Sequence, residues 1–131
     1  MWPNHTKKLV LLALLLAGFA TGIWHHRLGV RAIFVFKGNE PVFTWIAMIA
    51  GPLSTLPATV ASIFNRKIGG YWLVGGGFLS LLSISVGGEL TTEQIGQWFV
   101  MMSAPMLAIG AGFLLLMKWS ASKPENVPEG K

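Results

Sequence analysis

Apolar residues run along this chain in four long stretches, separated by short polar or charged breaks. A bilayer's hydrocarbon core is roughly 30 Å thick and takes about 20 apolar helical residues, within a range of about 17–25. The stretches at about 9–24, 41–64, 68–88 and 94–117 meet or nearly meet that length, and none holds a Lys, Arg, Asp or Glu in its interior. The first is slightly short, but Lys7 and Lys8 can snorkel to the interface and extend it. The pattern predicts an all-α membrane protein: four transmembrane helices in an up-down bundle, with both termini cytoplasmic (N-in/C-in). Residues 1–119 form one transmembrane domain. Residues 120–131, polar and Pro-containing, read as a disordered cytoplasmic tail.

The breaks carry their own signals. Asn65-Arg66-Lys67 is a short charged turn between the second and third stretches, and residues 87–93 form a polar turn between the third and fourth. Short turns place consecutive helices side by side and antiparallel. Thr91 and Gln94 have capping-box spacing, which makes Thr91 the expected N-cap of the last helix, with Glu93 in its first turn. With the N-terminus inside, the cytoplasmic side holds Lys7, Lys8, Arg66, Lys67, Lys118, Lys123 and Lys131, against Arg27, Arg31 and Lys37 outside. That bias sets the orientation. Trp24, Trp45 and Trp98 mark one interface, and Trp2, Tyr71, Trp72 and Trp119 the other, as aromatic belts do. A rival reading takes the start as a cleavable leader, with Gly18-Phe19-Ala20 as the small-x-small site, leaving three helices.

Composition agrees with the pattern: hydrophobic residues make up 53% of the 131 residues and charged ones 11%, against about 25% charged in soluble domains. Mean hydropathy is +0.59. Asp and Cys are absent, so disulfides, thiolate metal sites and Cys nucleophiles are excluded. The net charge of +5 sits at the ends of apolar runs. It reads as topology determinant and anionic-lipid contact, with no nucleic-acid role.

Small residues form stripes that let helix backbones approach. The helix-packing positions are Gly18 and Gly22 in the first stretch and Gly51 and Thr55 in the second. Gly76, Ser80 and Gly87 follow in the third, and Ala108 and Gly112 in the fourth. The second stretch carries two small faces, Ala47/Gly51/Thr55/Thr59 and Ala50/Ser54/Ala58/Ser62; one of them is expected to be left for another chain. Pro52, Pro57 and Pro105 interrupt helices and remove backbone donors. Ser54, Thr55, Thr59 and Ser103 are close enough in sequence to compensate.

The stretch from His25 to Glu40 is predicted to be a loop outside the membrane, with Arg27, Arg31 and Lys37 as candidate contacts to a head group or partner, or simply solvated. Adjacent His25 and His26 point in different directions, and His5 belongs to the other side. No metal site and no cofactor are therefore expected. Glu89 and Glu93 read as a solvated turn, and Gly75-Gly76-Gly77 lacks the context of a phosphate-binding loop. No catalytic set is legible. The function expected is that of a small multi-pass protein of a bacterial inner membrane, a structural or accessory subunit packing against other membrane helices or its own copies. The alternative is a small oligomeric transporter or channel without proton coupling through an intramembrane carboxylate.

Overall fold

The computed structural model describes residues 4–36, 42–86 and 91–121. Apart from Gly51, Asn65 and Thr91, every described residue is helical. Helix α1 spans Asn4–Phe36 and α2 spans Val42–Ala50. After Gly51, a 3-10 turn over Pro52–Ser54 leads into α3, Thr55–Phe64. Helix α4 spans Arg66–Val86. Helix α5, Thr92–Trp98, passes through a π turn over Phe99–Ser103 into α6, Ala104–Ala121. Among the described residues, three helical stretches are long and apolar enough to cross a membrane: Asn4–Arg31, Thr44–Phe64 and Thr92–Ala121. The predicted tail beyond Ala121, together with Lys37 and Gly87, lies outside the described residues.

Helix α1 departs most from expectation. The segment from His25 to Phe36, expected as part of a loop, continues the helix without a break. It holds no proline and no turn cluster, so nothing in it stops helix propagation. Hydropathy marks where a chain leaves lipid, and a helix can continue beyond that point. From Lys8 to Arg27 the helix rises about 28 Å, close to the hydrocarbon thickness of roughly 30 Å. The two cationic positions therefore match opposite rims of a bilayer.

One stripe of α1 faces inward. Leu11, Leu14 and Leu15 pack against the core, and Gly18, Gly22, His25 and Gly29 are buried above them. Leu9, Leu12, Leu16, Ile23 and Trp24 face outward. The core consists of Ala58, Leu73, Met106, Ile109 and Phe113. Large apolar side chains also cover the outside, from Ile46 and Val60 to Tyr71, Phe78 and Leu115, which suits lipid as the solvent.

The α2–α3 segment bends where its sequence demands. Gly51 leaves helical geometry (φ −90°, ψ −109°) and Pro52 begins the 3-10 turn. Ser54 donates its hydroxyl to the carbonyls of Ala50 at 2.6 Å and Gly51 at 2.8 Å. Thr55, Thr59 and Ser62 donate to Pro52, Thr55 and Ala58 respectively. These hydroxyls thus compensate the kinked backbone internally, as a bilayer requires. Both small faces of this segment are consumed inside the chain, contrary to the expectation that one is left free. Gly51, Thr55 and Thr59 are buried on one, and Ser54, Ala58 and Ser62 on the other, because the segment lies between α1 and α4.

Asn65 alone separates α3 from α4. Its side chain accepts the Lys67 and Ile68 amides at 3.1 and 3.2 Å, capping α4. At the other break, Thr91 and Gln94 form the complete capping box.

Candidate functional site: a buried histidine between two broken helices

His25 is fully buried, although it neighbours exposed His26 and Arg27 on the same helix. It lies seven residues after Gly18 and three after Gly22, which places all three on the inward face of α1. The site has no loop character: a continuous helix holds the imidazole against two irregular pieces of backbone. Its Nδ1 lies 2.9 Å from Thr55 Oγ1, at the start of α3. Its Nε2 lies 3.0 Å from the carbonyl oxygen of Met101, within the π turn.

Both contacts follow from prolines. A helix normally satisfies the carbonyl of residue 101 with the amide of residue 105, but Pro105 has no N–H. The π turn shifts the neighbouring bond as well, because the Ala104 amide donates to Phe99, five residues back. Met101 thus lacks the usual donor four residues on, and His25 supplies one from another helix. On the other side, the turn beginning at Pro52 presents Thr55, whose hydroxyl reaches the Pro52 carbonyl at 2.7 Å.

The donors can be counted. A carbonyl only accepts, so Nε2 carries a hydrogen toward Met101. In a neutral ring Nδ1 is then bare, and it accepts from the Thr55 hydroxyl only when that hydrogen turns away from the Pro52 carbonyl. Thr55 has a single hydroxyl hydrogen and two acceptors in reach, Nδ1 and the Pro52 carbonyl. The ring thus links α1 to the breaks in the second and fourth apolar stretches. Ser103, expected to compensate the Pro105 break, does not: its buried Oγ has no hydrogen-bond partner. The histidine carries out that role.

Other predicted positions fall as follows. A Cβ on Gly18 would lie 2.6 Å from Thr59 Oγ1, and one on Gly22 2.7 Å from Leu56. A Cβ on Gly51 would lie 2.6 Å from both the Ala47 carbonyl and Ser80 Oγ. On Gly76 it would meet Met106 at 2.7 Å, and on Gly112 Leu14 at 2.6 Å. Ser80 is buried and donates to the Gly76 carbonyl at 2.9 Å. Ala108 is exposed. Arg27 and Arg31 are exposed one turn apart on α1, and their expected companion Lys37 is among the residues not described. Glu93 is exposed in the first turn of α5. Among the described residues no His, Cys, Asp and Glu group could hold a metal ion.

The sequence pattern places His25 in an external loop because it follows the end of the apolar run at Trp24. Two signals pointed elsewhere: its phase with the Gly18/Gly22 face, and the carbonyl that Pro105 leaves bare. No family model, curated protein or solved structure matches this chain.

Proposed function

We propose that this chain is a four-span integral membrane protein of a bacterial inner membrane, with both termini cytoplasmic, serving as a structural or accessory subunit. The observation that carries the reading is how its small residues divide. The inward ones are closed to contact: Gly18 on Thr59, Gly22 on Leu56, Gly51 on Ser80, Gly76 on Met106. The buried hydroxyls of Ser54, Thr55, Thr59, Ser62 and Ser80 are bonded within the chain. A second set faces outward: Ala13, Ala17 and Ala20 on α1, and Ala108 and Ala111 on α6. Outward small residues at helical spacing admit another helix at close range. A bundle so closed inside has its free packing capacity on its perimeter.

The test is the mass of the protein extracted from its native membrane with surrounding lipid, without detergent exchange. The expected result is a complex larger than one chain, broken by Ala17→Trp or Ala108→Trp with the fold retained. A single chain with lipid only would remove the subunit role.

A second reading, an oligomeric transporter or channel, is favoured by one observation: two discontinuous helices, 51–55 and 99–103, meet at a polar group. Transporters build solute sites from such pieces. This reading expects ion or solute flux in proteoliposomes that His25→Phe abolishes, whereas the subunit reading expects none.

A further inference from the structure

We propose that the end of the molecule where α1 and α4 begin and α6 ends is a binding site for the phosphate of an anionic phospholipid head group. This inference rests on the membrane reading above, and on a site remote from His25.

The observation is a hollow of about 240 Å³ lined by Asn4, Lys7, Lys8, Leu11, Arg66, Leu116 and Ser120. Three of these side chains are cationic and none is a carboxylate. Three elements supply them, so the cluster is tertiary: Lys7 and Lys8 come from the first turns of α1, Arg66 opens α4, and Ser120 is in the last turn of α6. Lys7 is held in place. Its Nζ donates to the Trp119 carbonyl at 3.1 Å, which uses one of three ammonium hydrogens and leaves two. The α4 N-terminus adds the positive end of a 21-residue helix. Asn4 adds a neutral hydrogen-bonding group at the rim, while the Ser120 hydroxyl is spent on the Leu116 carbonyl at 2.9 Å.

The lining also changes character with depth. Leu11 lies one turn deeper in α1 than Lys7, and Leu116 one turn deeper in α6 than Ser120. A ligand filling this hollow meets cations at the outer edge and leucines below. A diacyl phospholipid has that order, with phosphate above and acyl chains beneath. Basic pockets between membrane helices recognise anionic head groups by this combination. Inorganic phosphate shares the phosphate chemistry but has nothing to place against Leu11 and Leu116.

The test is native mass spectrometry and lipid titration of the full chain, using phosphatidylglycerol, phosphatidylcholine and inorganic phosphate as probes. Phosphatidylglycerol is expected to bind in preference to phosphatidylcholine. Lys7→Gln/Arg66→Gln is expected to weaken it about 10- to 30-fold, near the effect of two lost interfacial cations. Lys7→Arg/Arg66→Lys should retain it. Arg27→Gln/Arg31→Gln removes the same charge elsewhere and should leave binding within about 2-fold. Equal losses in both neutralised variants would mean diffuse attraction and overturn the site. Competition by inorganic phosphate at concentrations comparable to the lipid would overturn the lipid assignment. None of the three double variants alters a core residue, so matched melting curves separate loss of the site from loss of fold. Failure of the membrane reading is distinguishable too: the chain would then stay in solution without detergent, whatever it bound.

Discussion

Replacing His25 with Phe tests the joint at the centre of the structure. Phe keeps a ring of similar size, so the change removes hydrogen bonds with little loss of volume. The bond to the Met101 carbonyl disappears, and the Thr55 hydroxyl loses one of the two acceptors that share its hydrogen. Interhelical hydrogen bonds in membranes contribute on average about 0.6 kcal/mol each. The losses are unequal here. Thr55 keeps the Pro52 carbonyl as acceptor, so its hydroxyl stays satisfied. Met101 has no alternative from Pro105, and its part-buried carbonyl, left without a donor, costs up to about 1–3 kcal/mol. The sum is a destabilisation of about 1–3.5 kcal/mol. The assay is reversible unfolding in mixed micelles followed by helical circular dichroism, with His26→Phe as the control. Because His26 is exposed, that variant should stay within about 0.5 kcal/mol of the parent. Pro105→Ala provides the second arm of a cycle. It restores an amide at 105, offers Met101 a donor within its own helix, and should shrink the His25→Phe penalty by about 1 kcal/mol. If His25→Phe and His26→Phe unfold alike, the histidine does not fasten these helices. If the penalty is unchanged in the Pro105→Ala background, the missing proline N–H is not what His25 replaces.

Three further outcomes follow from the packing. Gly75 has nothing within 4 Å of an added Cβ, whereas on Gly76 it would meet the Ala50 carbonyl at 3.1 Å and Met106 at 2.7 Å. Gly75→Ala should therefore stabilise by about 0.4–1 kcal/mol, and Gly76→Leu should lower the melting temperature or prevent folding; the reverse order would reject the assigned α4 face. Ser103→Ala removes a hydroxyl without a partner and should be neutral or stabilising by up to about 1 kcal/mol. Ser80→Ala, which removes a bonded one, should destabilise in the same unfolding assay. In a chain without cysteine, Asn65→Cys should label from the cytoplasm and Thr92→Cys from outside, both positions being exposed; labelling of both from one face would break the four-span topology.

Several local features were legible because their causes are local. Thr91 and Gln94 cap α5 through contacts three residues apart, and spacing alone specifies such contacts. The Pro52 break and its repair by Ser54 and Thr55 also lie within one turn. The inward phase of Gly18 and Gly22 follows from helical periodicity, without knowledge of a partner. Other features were misread where a short-range sign answered a long-range question. The end of hydropathy at Trp24 was taken for the end of α1, though helix propagation depends on backbone stops and continues to Phe36. Two small faces on the second stretch suggested a vacancy, but α1 and α4 occupy both.

By itself, then, the sequence determined that this chain forms apolar helices, where their backbones break, and which charges stay at their ends. Each depends on residue type and on neighbours a few positions away. The tertiary structure alone decided what meets the breaks: His25 at the Met101 carbonyl, 76 residues along the chain, and Lys7 at Trp119, 112 residues away. An unpaired carbonyl in an apolar interior demands a donor but does not say which one. The choice among distant donors is made by how closely glycine-lined helices pack, and that is a property of the whole bundle.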